Sequence, residues 1–78
     1  MAHDYYANAE RIEAALREAS RADVASQLKI ARAGASTAGE ALMSLRHECR
    51  RALRDASLPE SIRRDLKSLV KAINSSGV

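Results

Sequence analysis

Residues 36–57 read STAGEALMSLRHECRRALRDAS. The apolar residues of this segment recur at steps of four and three, at Ala38, Leu42, Leu45, Cys49, Ala52 and Ala56. This spacing is typical of a helix that packs along its whole length against other helices. A Thr-x-x-Glu capping box begins at Thr37, and a Ser-x-x-Glu box begins at Ser57, where the next helix should start. The segment therefore predicts a central helix around which the rest of the chain packs.

Apolar stripes with the same spacing lie on both sides of this segment. Upstream they comprise Tyr5, Ala9, Ile12, Leu16 and Ala19, then Val24, Leu28 and Ala31; downstream they comprise Ile62, Leu66, Leu69 and Ile73. Asp4 can cap the first helix, and Gly34 can end the upstream segment in the left-handed conformation. The stripe is interrupted near Ser20, which begins a capping-box pattern. We predict a break near residues 20–22, with one long helix to Ala33 as the alternative.

These stripes predict an all-α fold, a small antiparallel bundle of three to four helices. The 78 residues suit a single domain, residues 1–78, with helices at about 4–20, 21–33, 37–56 and 59–74. The chain has 16 Ala and two Tyr but no Phe or Trp. Because alanine buries little area, the predicted core is thin, and a partner that adds burial is plausible.

Residues that could carry catalysis or bind a metal are sparse. His3, His47 and Cys49 are the His and Cys residues of the chain. His47 and Cys49 are two positions apart, which separates them by about 200° around a helix. Cys49 lies on the apolar stripe, where a buried thiol is inert. There is no His-x-x-x-His, Cys-x-x-Cys or glycine-rich phosphate loop. We therefore expect no enzyme, no metal and no cofactor.

The central helix also carries a basic face. At 100° per residue, the side chains at its centre gather within about 60°, with Arg46 at the edge: Met43, His47, Arg50 and Arg54. The opposite flank, Glu48, Arg51 and Asp55, can pair internally. We predict that Glu10, Glu13, Arg17 and Glu18 form the outer face of the first helix, with Glu13 and Arg17 as a pair.

This basic face has two interpretations. In one, it is a solvated surface whose arginines pair with Glu10, Glu13 or Glu18 of a neighbouring helix. In the other, it is a docking surface for an acidic partner, with Met43 as the apolar centre. The candidate partner-binding residues are Met43, Arg46, His47, Arg50, Arg54, Glu10 and Glu13.

Two segments resemble a known group of proteins. The sequences GASTAGEALMSLR, from Gly34 to Arg46, and LPESIRRDL, from Leu58 to Leu66, are similar to small all-helical bacterial immunity proteins of polymorphic and contact-dependent toxins. The resemblance covers about half the chain, residues 34–74. It implies a non-catalytic protein that binds and neutralises one cognate toxin domain. Immunity proteins against nucleases are often acidic, whereas this chain has a net charge of +3. The resemblance thus implies either that the acidic residues 1–20 meet a basic toxin or that the toxin surface is acidic.

Other functions remain open at this point. A nucleic-acid-binding regulatory protein would use Arg46, Arg50, Arg54, Arg63, Arg64 and Lys67 against phosphate. A helix-turn-helix fits poorly, because one alignment puts Lys29 at the turn glycine and the other puts Glu40 in the core. An assembly or chaperone subunit and a homodimer are further alternatives. The single cysteine and the lack of an apolar run near 18 residues favour a cytoplasmic protein without membrane contact.

Overall fold

Four helices make up most of the described part of the chain. The computed structural model describes residues 4–76, which contain helices α1 (Tyr5–Glu18), α2 (Ala22–Ala33), α3 (Ala38–Leu53) and α4 (Glu60–Ser75) and no strand. Each helix packs against two neighbours, in the cyclic order α1, α2, α3, α4 and back to α1. The start of α1 lies beside the end of α4, where the Tyr5 hydroxyl is 3.5 Å from the Ala72 carbonyl oxygen. The predicted antiparallel all-α bundle is confirmed.

The predicted break before α2 is confirmed, but its mechanism differs from the prediction. Ser20 has a φ of 63°, in the left-handed region. Its N–H donates to the Arg17 carbonyl, and the Arg21 N–H donates to the Leu16 carbonyl. These two bonds are the Schellman motif that ends a helix. The predicted Ser20 capping box is therefore wrong: Ser20 closes α1, and α2 follows Arg21 with no side-chain cap.

The helix starts behave largely as predicted. An oxygen of Asp4 accepts from the Ala7 N–H at 2.9 Å, and the Thr37 hydroxyl accepts from the Glu40 N–H at 3.1 Å. The Ser57 box is wrong, because α4 begins after Pro59 without a side-chain cap. The Ser57 hydroxyl instead donates to the Asp55 carboxylate.

Two helix ends differ from the predictions. Gly34 ends α2 with a φ of −91°, so the expected left-handed cap is absent there. Helix α3 ends at Leu53 rather than at residue 56. The Arg63 guanidinium donates to the carbonyls of Leu53 and Asp55 at 3.0 and 2.8 Å, which satisfies acceptors that the helix leaves open. The two terminal members of the predicted central stripe, Ala38 and Ala56, are exposed.

The core is aliphatic and holds no aromatic ring among its fully buried residues. It comprises Ala9, Ile12 and Leu16 of α1, Ala25 and Leu28 of α2, Leu42, Leu45, Cys49 and Ala52 of α3, Leu58, and Ile62, Leu66, Leu69 and Ile73 of α4. The central residues of the predicted stripes thus face the core, as the spacing indicated. Within residues 4–76, no helix has the length and apolar character needed to cross a bilayer.

Candidate interaction surface

An open groove of about 640 Å³ lies between α2 and α3. Its walls carry two large exposed apolar side chains, Ile30 from α2 and Met43 from α3, which are 63% and 54% exposed. Tyr6 is the other exposed large hydrophobic residue among residues 4–76. Exposed apolar side chains that share one groove are typical of interaction sites, whereas isolated ones are ordinary. The groove is therefore the candidate interaction surface.

Polar side chains of α3 line the same groove. They include Glu40 near the start of the helix, and Ser44, His47 and Glu48 further along it. Glu48 is half-buried and lies 3.6 Å from Arg51, as predicted for this flank. Asp55, predicted to join them, instead pairs at 2.7 Å with Arg21, the residue before α2. The pairing prediction is thus correct for Glu48 and Arg51 and wrong for Asp55.

Three basic side chains on the same face of α3 as Met43 make no polar contact within the described part of the chain. His47, Arg50 and Arg54 are exposed. Within residues 4–76, none of these three side chains makes an ion pair or a hydrogen bond. The interpretation in which they pair with carboxylates of the first helix is wrong, because Arg32 of α2 occupies Glu10 and Glu13.

The position of Glu13 is the largest correction to the predicted site. Its side chain is 2% exposed, whereas the sequence placed it on the outer face of α1. Both carboxylate oxygens accept from Arg32, at 2.6 and 3.0 Å, and Glu10 lies 3.7 Å from the same guanidinium. The hydrogen bonds that Arg32 donates to the Glu13 carboxylate raise the pKa of Arg32. Glu13 therefore ties α1 to α2 and is not part of an exposed surface, and its predicted pairing with Arg17 is wrong.

Two further arginines have structural contacts. Arg46 is half-buried, and its guanidinium donates to the Asn74 side-chain oxygen at 2.9 Å across the α3–α4 contact. Arg63 donates to the carbonyl of Leu53, the last residue of α3, and to the carbonyl of Asp55 just after the helix. Of the six basic residues that would contact nucleic acid, Arg50, Arg54, Arg64 and Lys67 remain as exposed side chains.

Charge is unevenly distributed between the two halves of the bundle. Residues 4–33 carry five basic and five acidic side chains, whereas residues 38–76 carry eight basic and five acidic ones. The acidic α1 is thus balanced by the basic residues of α2. The positive surface belongs to α3 and α4, where a complementary partner would be acidic.

Cys49 and His47 lie on opposite sides of α3. Cys49 is fully buried, as predicted, and burial raises the pKa of its thiol to about 12, with a smaller contribution from the charge of Glu48. A thiol held in its neutral form is a poor nucleophile and a poor ligand. His3 lies outside the described residues. Residues 4–76 hold no group of three His, Cys, Asp or Glu side chains suited to a metal ion.

Comparison of the chain with known protein families, with curated proteins and with solved structures gives no match. The resemblance to immunity proteins therefore stays a prediction that rests on the residues quoted for it. Of the two large exposed apolar side chains in the groove, Ile30 is the one that the predicted site residues do not include. It lies two positions after Leu28, off the apolar stripe of α2, and a large apolar residue off such a stripe is a signal of exposure.

Proposed function

We propose that this chain is a non-catalytic protein-binding module, an immunity or antitoxin-like inhibitor that binds and neutralises a bacterial toxin domain. The observation that supports this proposal most directly is that two exposed apolar side chains, Ile30 and Met43, share one surface with exposed basic side chains. These basic side chains, the basic rim, are His47, Arg50 and Arg54. Interfaces are typically built as an apolar centre with a charged rim that selects the partner. This arrangement suits a partner with an acidic surface around an apolar side chain.

The rest of the molecule supports this role by holding the surface in place. The ion pair of buried Glu13 with half-buried Arg32 fixes α2 against α1, and the core stripe of α3 fixes that helix against its neighbours. A preorganised surface loses little conformational entropy on binding, which favours tight complexes. Because Arg50 and Arg54 have no partner within residues 4–76, a complex would form their ion pairs without breaking internal ones.

The first test is capture of a partner by the immobilised chain from its native host, with nuclease present and at low and high salt. We expect one protein in stoichiometric amount that survives both treatments. The double variant Arg50→Glu/Arg54→Glu should reduce its affinity by at least about 100-fold, because two favourable charges become repulsive. The matched control, Arg17→Glu/Lys29→Glu, makes the same change in net charge on exposed residues outside the groove.

The second test decides whether the captured protein is a toxin. Its expression alone should arrest bacterial growth, and co-expression of the wild-type chain should restore growth. The Arg50→Glu/Arg54→Glu variant should fail to restore it while retaining its helical circular dichroism. A harmless partner would contradict the inhibitor function and favour an assembly or chaperone subunit.

Nucleic-acid binding is the second candidate, and the excess positive charge of α3 and α4 favours it. Exposed Arg50, Arg54, Arg64 and Lys67 are available to contact phosphates. If all four do so, log K should fall with log salt at a slope of about −3 to −4. Capture of nucleic acid that elutes with salt, without a protein partner, would replace the inhibitor proposal with this one.

A further inference from the structure

We propose that the outer face of α3 also binds a second copy of this chain, in an antiparallel two-fold dimer. In this dimer Glu40 of each protomer pairs with the partner's Arg50. The proposal concerns the free protein and goes beyond the inhibitor function. It rests on the spacing and the charge order of the exposed residues of α3.

Helix α3 carries two stripes with the same spacing. The buried stripe contains Leu42, Leu45, Cys49 and Ala52, at steps of three, four and three. The exposed stripe contains Glu40, Met43, His47, Arg50 and Arg54, at steps of three, four, three and four. This is the spacing by which one helix packs along another. The first stripe meets the core, whereas residues 4–76 leave the second one uncovered.

The order of charges along the exposed stripe selects the direction of packing. Glu40 lies in the first turn of α3, and Arg50 and Arg54 lie at its end. A parallel pair of α3 helices would bring each arginine against its own copy, which is repulsive. An antiparallel pair whose two-fold axis crosses the outer face of α3 at the level of residue 45 places Glu40 against the partner's Arg50. The two-fold axis repeats this contact, so the interface contains two equivalent Glu40–Arg50 ion pairs, as an isologous interface requires.

The same axis brings the apolar residues to the centre. Met43 then faces the partner's His47, and both Met43 side chains lie near the axis. The two ion pairs enclose this centre at a spacing of about 15 Å, because ten residues of helix separate Glu40 from Arg50. Ile30 forms the α2 wall of the groove that receives the second helix. The dimer therefore covers the exposed apolar side chains of this groove.

The dimer and the proposed partner complex use the same surface, so each excludes the other. Their charge requirements differ, which makes them separable. Arg50 serves both complexes, whereas Glu40 serves the dimer and is repulsive toward an acidic partner. In the free protein the dimer would therefore cover the apolar groove. A partner that binds more tightly would displace the second copy from it.

Sedimentation equilibrium between about 1 µM and about 1 mM tests the dimer. The mass should rise with concentration from 8.5 kDa toward twice that value. Glu40→Arg and Arg50→Glu should each weaken the dimer at least about 10-fold, because each replaces two attractions by repulsions. The charge-swapped Glu40→Arg/Arg50→Glu variant should return to within about threefold of the wild type. Glu60→Arg is the matched control, since Glu60 lies in the first turn of α4 and is exposed.

Two results would overturn the dimer: a wild-type protein that stays monomeric at about 1 mM, or a swapped variant that stays as weak as the single variants. Circular dichroism of each variant establishes that it is folded. The Glu40→Arg variant also separates the two proposals, because it should weaken the dimer and still bind an acidic captured partner at least as tightly as the wild type. A wild-type protein that stays monomeric and still binds the captured partner would leave the inhibitor function standing alone.

Discussion

The contact between Glu13 and Arg32 shows how a helical pattern can predict the wrong exposure for a single residue. On a helical wheel, position 13 borders the stripe of Ile12 and Leu16, so it can face either solvent or the next helix. The fold turns it toward α2, where Arg32 supplies two hydrogen bonds. A buried carboxylate without that partner would be strongly unfavourable. The identity of the partner could not be read from the sequence, because the pair joins positions 19 residues apart.

Removal of Arg32 should therefore destabilise the fold. The substitution Arg32→Ala leaves the 2% exposed Glu13 without its cation and should lower the free energy of unfolding by about 3 kcal/mol. Urea denaturation followed by circular dichroism measures the change. Arg17→Ala, at an exposed arginine without a partner in residues 4–76, should change stability by less than about 0.5 kcal/mol.

The double substitution Glu13→Leu/Arg32→Leu gives the complementary result. Replacing both members of a buried ion pair by apolar residues removes the uncompensated charge, so most of the lost stability should return. A double variant as unstable as Arg32→Ala would mean that the contact acts through packing of the arginine stem rather than through charge.

At the scale of the elements, the sequence predicted the four helices well and their ends less well. The periodic stripes fix which residues of α1, α3 and α4 are buried, because burial repeats with the helix turn. The ends depend on contacts that compete with the helix patterns. Arg63 donates to the carbonyl of Leu53, the last residue of α3, from ten positions away, so this contact has no local signature. Ser57 bonds to Asp55, two positions earlier, instead of capping α4. This local turn competes with the capping box, and the predicted cap was wrong because the prediction did not weigh it.

Gly39 is a position where α3 can be strengthened. It lies in the first turn, and a Cβ added there meets nothing within 4 Å. Gly39→Ala should raise the free energy of unfolding by up to about 1 kcal/mol, because alanine loses less backbone entropy in a helix. Gly34→Ala is the control. Its Cβ would lie 2.9 Å from the Ile30 carbonyl oxygen, so this variant should gain nothing or lose stability in the same denaturation assay.

The hydrogen bonds of Asp55, between α3 and α4, predict that the folded protein loses stability in acid. Hydrogen bonds from Ser57 and from Arg21 lower the pKa of Asp55 from 3.8 to about 2. A carboxylate whose folded pKa is lowered stabilises the fold fully above its unfolded pKa. This contribution should therefore be present above about pH 4 and disappear as the pH falls toward about 2.

Thermal unfolding between pH 2 and pH 6 measures this effect. The wild-type melting temperature should fall through the lower part of the range, and Asp55→Asn should show a shallower fall from a lower starting value. Ser57→Ala, which removes the largest cause of the lowered pKa, should shift the wild-type transition toward pH 4. Parallel acid profiles for the wild type and Asp55→Asn would show that this carboxylate contributes nothing to acid stability.

At the scale of the whole molecule, the sequence located half of the candidate surface. The wheel of α3 placed Met43, His47, Arg50 and Arg54 together, and the structure leaves all four exposed. It could not supply the opposite wall, because the pairing of α2 with α3 is a tertiary contact. Ile30 belongs to the surface only because α2 packs beside α3. Glu13, a predicted site residue, is not part of the surface because the packing of α1 on α2 buries it. The central claim is that this assembled groove is where the protein binds its partner.

Methyl NMR of the protein labelled at its Met and Ile methyl groups tests that claim most directly. The captured partner is added at a chain concentration too low for self-association. The signals of Met43 and Ile30 should shift or broaden as the complex forms, while those of the buried Ile12, Ile62 and Ile73 should stay in place. Unchanged Met43 and Ile30 signals at saturation would place the interface elsewhere on the bundle and contradict the account.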